Sequence, residues 1–393
     1  MNRTWLAFAL ALALAGCSPL LETDFRRRGG PSGWTVSPSR RSLDANALWV
    51  ADGNDAGGYL SLPRLRGRFG RLAVNSPHVG VQPHRFYRIR LRTRSPKRFI
   101  AGMIFQDANG RELTSDHYTG FDASADWQDQ EFYVRARTAA TEGWVRIQAG
   151  GGPIRIGAAR IDAASAGQAR RWIDRVYASL PPLDYRPPED RWGRLPRTID
   201  RLKTHQPLRV VMLGDSIIND TSNSHWQLLA SRRWGGAPIE VVSSVRGGTG
   251  CPYYRKEGRV AAWVLDHQPD LVIIGGISNQ KAEFVDEVVQ QIRRASPAEI
   301  LLMTGAIGKD ISTEDPRHRE PRLKGQARYA TELAAVAERH GCEFLDMRAA
   351  SEAYFQSSPR PMTWYMRDTV HANKRGRQII GRILARYLSP DED

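Results

Sequence analysis

The sequence predicts two folded regions of different class. One is an α/β domain, a five-stranded parallel sheet with helices on both faces (α/β/α); the other, preceding it, is an all-β sandwich. Three observations carry this prediction. Apolar runs alternate with amphipathic helical stretches from about residue 205 onward. Short segments with a period of two crowd residues 44–165. A proline-rich stretch, LPPLDYRPPEDRWGRLP, separates the two patterns. A length of 393 residues suits two domains.

The elements follow in chain order. The chain opens MNRTWLAFALALALAGC, with Arg3 ahead of an apolar run from Trp5 to Ala15. That run is too short to span a bilayer and has the length of a secretion signal. Its end, Leu14-Ala15-Gly16-Cys17, resembles a bacterial lipobox. Residues 1–16 are therefore expected to be a lipoprotein signal peptide, and Cys17 the lipidated N-terminus. Several acyl chains on one residue anchor stably to a membrane. The expected location is the bacterial cell envelope, on the periplasmic face or outer membrane. Cleavage near Ala15 to give a free secreted protein is the alternative.

Residues 17–43, rich in Arg, Gly, Ser and Pro, predict a flexible basic tether. Within 44–165, Ile89-Arg90-Leu91-Arg92, Phe132-Tyr133-Val134-Arg135, Trp144-Val145-Arg146-Ile147 and Ile154-Arg155-Ile156 read as strands. Asp107-Ala108-Asn109-Gly110 and Gly150-Gly151-Gly152-Pro153 are turn signals between them. The pattern resembles the jelly-roll modules that accompany secreted carbohydrate enzymes. Trp127 and Trp144 are candidate sugar-stacking platforms, although a Trp in an alternating strand is more often core. Residues 166–200 read as a short helix and the proline-rich linker, and 201–393 as the α/β domain. Its strands are the runs Leu208–Leu213, Ile239–Val242, Leu271–Ile274, Ile300–Met303 and Glu343–Leu345. Glu283–Ala295 and Gln326–His340 are helical patterns between them.

Charge and cysteine narrow the function. The 57 basic residues, fifty of them Arg, exceed 42 acidic ones, for a net charge of +15. Residues 18–166 carry a net +8 and residues 167–393 a net +6, with Arg3 making up the total. An Arg-biased genome would give the same total, but the excess also suits an anionic polymer or surface. The export signal argues against nucleic acid as partner. The three cysteines, Cys17, Cys251 and Cys342, form neither a disulfide framework nor a metal-ligand spacing. Neither a metal nor any other cofactor is expected.

Ligands in such sheets bind at the carboxyl ends of the strands. There the first three strands run into Gly214-Asp215-Ser216-Ile217, Arg246-Gly247-Gly248-Thr249-Gly250 and Gly275-Gly276-Ile277-Ser278-Asn279. Asp368-Thr369-Val370-His371 precedes the last amphipathic helix. A serine directly after a buried strand is exposed but needs a base. His371 can serve, with Asp368 fixing its tautomer. The Ser216 N–H, a glycine N–H of the second loop and the Asn279 amide can face an oxyanion. Singly, each fragment has an ordinary reading: a helix-capping loop for Asp368 and His371, a cap or turn for Asn279, a positive-φ turn for the glycines.

Together, the blocks GDSI at 214–217, RGGTG at 246–250, GGISN at 275–279 and DTVH at 368–371 resemble the SGNH (GDSL) hydrolase family. The resemblance covers about residues 205–390. It implies a Ser216–His371–Asp368 triad and an oxyanion hole from Ser216, Gly247 and Asn279, with Gly248 as alternate to Gly247. Gln280 follows Asn279 where the family usually has Asp, and one more residue than usual separates the asparagine from the glycine pair. The implied activity is a serine esterase, foremost a carbohydrate O-acetylesterase whose partner is an acylated carbohydrate or polysaccharide. The alternatives are a polysaccharide O-acetyltransferase with the same triad and a non-catalytic polysaccharide-binding envelope protein.

Overall fold

A computed structural model of the chain describes residues 19–25, 32–37, 43–44, 49–51, 58–62, 73–113, 117–149, 152–279, 281–306 and 316–391. The signal sequence 1–16 and the lipidation site Cys17 lie outside the described residues. The chain divides into two compact units, with the boundary between Trp172 and Ile173. That boundary falls inside the helix Ala166–Ala178.

The first unit is all-β with two antiparallel sheets. One sheet has Ser124–Arg135, Phe86–Ser95, Ile154–Ala164, Gly58–Leu62 and Trp49–Ala51 side by side, and Leu21–Asp24 also pairs with Ile154–Ala164. The other is built around Phe99–Gln106 and Glu142–Ala149. The period-two pattern explains the faces: Ile89, Leu91 and Ile161 are buried while Arg88, Arg90 and Arg160 point outward. Phe121 of one sheet lies 5.8 Å from Phe132 of the other, joining their apolar faces.

The tether expected over 17–43 is corrected in part. Leu21–Asp24 pairs with residues 161–158, and Thr35–Ser37 pairs with Asn75–Ala73. Phe25 and Trp34 are buried with ring centroids 5.2 Å apart. Two large aromatic rings and an alternating LETD strand outweigh the Arg/Gly/Pro composition around them.

The second unit contains a five-stranded sheet with every pairing parallel: β1 (Leu208–Gly214), β2 (Ile239–Val245), β3 (Leu271–Ile274), β4 (Glu299–Met303) and β5 (Glu343–Leu345), in the order β2-β1-β3-β4-β5. The helices that matter below are α1 (Ser216–Ser222), α2 (Trp226–Arg233), α3 (Ala282–Ala295), α4 (Pro316–Arg339), α5 (Met347–Ser357) and α6 (Lys374–Tyr387). The apolar runs are strands because both faces are covered, and β3, Leu-Val-Ile-Ile, is buried throughout. The α3 residues Val285, Val288, Val289 and Ile292 recur at helical spacing and pack on one face with Val272 and Ile300. In this strand order the crossover from β1 runs to one side, to β2, and the next returns past β1 to β3; such a switch point places a crevice at the carboxyl end of β1. Ser216 sits there.

Candidate active site

Asp215 fixes the start of α1. Its buried carboxylate caps the helix by accepting from the Ile217 N–H at 2.9 Å. Its other oxygen accepts from Ile277 N and Ser278 N, both at 2.7 Å. One side chain thus ties the loop after β1 to the loop after β3. Gly276, at φ +106°, is where the second loop turns, and a Cβ there would stand 2.5 Å from Asp215 Oδ1. The neighbouring Ser216 is left half-buried on the crevice side.

The structure brings Ser216, His371 and Asp368 together. Ser216 Oγ lies 2.8 Å from His371 Nε2, and His371 Nδ1 lies 2.9 Å from each oxygen of Asp368. A carboxylate only accepts, so Nδ1 carries the proton and Nε2 is left to accept from the serine hydroxyl. Asp368 Oδ1 also accepts from the N–H groups of Val370 at 2.9 Å and His371 at 2.8 Å. Burial acts to raise the Asp368 pKa; the hydrogen bonds from His371 and these two N–H groups outweigh it and hold the carboxyl below the usual carboxylate range. The helix-cap reading of this loop falls to Asn373, whose side chain accepts from Arg375 N and Gly376 N.

A second acid, missed in the sequence, holds the loop in place. Asp220 lies one turn after Ser216 on α1 and is fully buried. Its Oδ2 accepts from Ala372 N, the residue after His371, at 3.0 Å. Its Oδ1 accepts from Arg367 at 2.6 Å and from Arg377 on α6 at 2.7 Å. Arg367 also donates to Ala372 O at 2.8 Å. Burial would raise the Asp220 pKa, but the two guanidinium groups more than offset it and leave it lowered. The Ser216 helix, the His371 loop and the last helix are therefore joined at one carboxylate. In the sequence the signal was faint: an acid four residues from the serine and two Arg flanking the DTVH block.

The remaining expected residues are placed as follows. The N–H groups of Ser216 and Gly247 make no hydrogen bond among the described residues. Gly248 has φ +65°, so its identity answers to backbone conformation. Gly247 has no positive φ, and no described residue lies within 4 Å of where a Cβ would stand. Asn279 is buried and works as a clamp: its Oδ1 accepts from Cys251 N at 2.9 Å and its Nδ2 donates to Gly275 O at 3.3 Å. Cys251 and Cys342 are both buried and free, and burial raises both thiol pKa values. Trp144 is buried beneath the stacked ring of His78, whereas Trp127 is half-exposed. Among the described residues no cluster of three His, Cys, Asp or Glu side chains could hold a metal ion. No helix among them is long and apolar enough to cross a membrane.

Comparison with known families matches residues 212–379 to the GDSL-like Lipase/Acylhydrolase family. The second unit therefore contains a GDSL/SGNH hydrolase domain, and its sheet and helices form an SGNH-hydrolase-like α/β fold. No curated protein matches the sequence. Among solved structures, a catalytic mutant of an acetylxylan esterase from Geobacillus stearothermophilus is 16% identical, covering 47% of this chain and 95% of that one at a TM-score of 0.39. A Bacillus subtilis protein, YXIM, is 14% identical, covering 93% of this chain and 92% of that one at a TM-score of 0.36. An α/β hydrolase enzyme from the metagenome of Lake Arreo, Spain, is 18% identical, covering 46% and 94% at a TM-score of 0.38.

Proposed function

We propose that the protein is a serine esterase that removes O-acetyl groups from carbohydrate. The observation that carries this reading is the unbroken chain Ser216 Oγ–His371 Nε2 and Nδ1–Asp368 at the carboxyl end of the sheet, inside the family-matched segment. Ser216 Oγ would attack the ester carbonyl carbon while His371 Nε2 takes the hydroxyl proton. Asp368, ionised well below neutral pH, would hold the imidazolium that forms. The carbonyl oxygen, now an oxyanion, would accept from the N–H groups of Ser216 and Gly247 and from the Asn279 amide. His371 would return its proton to the departing sugar oxygen, leaving an acyl-serine. Water, deprotonated by His371, would then attack the acyl carbon, releasing acetate and the free serine. Support for carbohydrate over lipid comes from the accessory all-β unit and from the export-type N-terminus. That N-terminus also supports a place in the bacterial cell envelope, through lipid on Cys17.

The test is hydrolysis of p-nitrophenyl acetate, followed by acetate release from acetylated polysaccharides. Ser216→Ala should lower turnover by about 10⁴-fold or more. Equally slow release by wild type and variant would overturn the esterase reading.

A further inference from the structure

The outer face of the first β-sheet carries a cluster that the esterase reading does not use. Arg94 of the Phe86–Ser95 strand stands directly opposite Arg155 of the Ile154–Ala164 strand. Both are exposed, and neither makes an ion pair with any described residue. Like charges directly opposite on adjacent strands cost stability. Other arginines of the same face have partners: Arg88 and Arg90 meet Asp162 at 3.3 Å and 3.1 Å, and Arg92 meets Asp129 at 3.7 Å. Among the described residues this pair is unrelieved on an otherwise neutralised face, which suits an anion from outside.

Aromatic rings border that pair. Trp127 lies within an irregularity of the Ser124–Arg135 strand, where the pairing shifts between Ser124 and Gln128. Its ring reaches across to Gly157, which stands at a matching irregularity of the Ile154–Ala164 strand. A Cβ on Gly157 would come within 3.2 Å of the Trp127 ring, so the missing side chain makes room for it. Arg92 lies over the Trp127 ring at 5.8 Å, and Arg155 over Tyr59 at 5.0 Å. Tyr59 meets Trp127 edge to face at 6.2 Å. Both rings are half-exposed. The cluster crosses four strands on one face, mixing flat apolar surface with guanidinium forks.

We infer that Trp127, Tyr59, Arg94 and Arg155 form a binding site for an acidic polysaccharide, a chain of sugars bearing carboxylates. A pyranose ring offers C–H groups to an aromatic face, and a guanidinium matches a carboxylate in bidentate geometry. This deepens the proposed function by naming the polymer class, and it rests on that reading for the choice of glycan over other polyanions. A single-stranded nucleic acid or an anionic membrane offers related chemistry, and both enter the test as competitors.

The experiment measures binding by the full mature chain carrying Ser216→Ala, so that turnover plays no part. The probes are polygalacturonate without acyl groups, neutral xylan, a single-stranded oligonucleotide and phosphatidylglycerol vesicles. Polygalacturonate should bind, more weakly as salt rises, and neutral xylan should bind at least about tenfold less well. Arg94→Ser with Arg155→Ser should weaken polygalacturonate binding about tenfold or more at an unchanged melting temperature. Trp127→Ala should weaken it by a similar factor. The proposal is overturned if the neutral polymer binds as well. It is also overturned if the double arginine variant binds like its parent, or if the oligonucleotide or vesicles are preferred. Because the probe carries no ester, loss of this binding would leave the esterase reading standing, and loss of esterase activity would leave the binding result standing.

Discussion

Arginine is the common charged residue of both units, and one cluster in each uses it in opposite ways. In the hydrolase unit it is an internal fastener. Arg367 and Arg377, each with a side chain 7% exposed, converge on Asp220. Arg386 donates to the carbonyls of Leu183 and Tyr185, and Arg293 to those of Ala298 and Gly341. A planar fork with fixed donors suits such bridging of chain segments. In the all-β unit, arginine fills alternate outward positions of a strand, from Arg88 to Arg94, where water screens it. Whether a cation shapes the fold or faces a partner depends on what it is paired with.

The largest loss is expected at the loop that carries Asp368 and His371. Asp368→Asn should lower kcat for p-nitrophenyl acetate by about 10⁴-fold. An amide oxygen can still accept from Val370 N and His371 N, which hold the loop. It cannot favour the tautomer with the proton on Nδ1. A drop below tenfold would show that the Asp368–His371 contact does not order the imidazole.

Asp220 is the next largest effect. Asp220→Ala leaves Arg367 and Arg377 buried without their carboxylate, a change that costs about 3–5 kcal/mol. Asp220→Asn keeps the shape and should cost less, yet still loosen the His371 loop through Ala372. Because Asp220 acts through the loop, kcat should fall with KM unchanged. Urea unfolding and steady-state kinetics on the same samples check both parts. Full activity in a destabilised Asp220→Asn variant would mark the residue as structural only.

Acid should separate the units. Asp220 and Asp368 have folded pKa values held below the ordinary range. Such groups contribute stability above their unfolded pKa, near 4, and lose it as pH falls further toward the folded values. The hydrolase transition should therefore drop in melting temperature below about pH 4. Asp220→Asn should flatten that drop. In the all-β unit, burial would raise the Asp162 pKa, but the hydrogen bond and charge of Arg160, with Arg90 and Arg88, leave it lowered. Asp162 is nearer solvent than Asp220, so its acid dependence should be the shallower. Calorimetry between pH 2.5 and 6 reads both.

These predictions divide along what the sequence made legible. The strand β3 matches its apolar run, Leu271–Ile274, residue for residue, because a buried parallel strand leaves no other pattern. Ser216, Asp368 and His371 were visible because few residue types can do nucleophilic chemistry and each fell in a loop at a strand end or before the last helix. Asp220 was hidden because an acid inside a helical stretch reads as a solvated position, and only tertiary packing puts it between two cations. Asn279 read as an oxyanion donor, yet most of its amide is spent on Cys251 and Gly275. The strand Leu21–Asp24 was masked by the composition of its neighbours, since four residues are too few to outweigh a long arginine-rich context.

The smallest expected effect is the most direct test of the contrast. Arg94→Ser removes one of two like charges facing each other on neighbouring strands and breaks no pairing among the described residues. Stability of the all-β unit should stay level or rise by a few tenths of a kcal/mol. The gain should shrink as salt screens the repulsion. Arg90→Ser on the same strand removes a contact to Asp162 and should shift stability slightly the other way. A loss of more than about 1 kcal/mol for Arg94→Ser would mean that Arg94, too, is a fastener. The division between inward and outward arginines would then fail at the position where it is drawn most sharply.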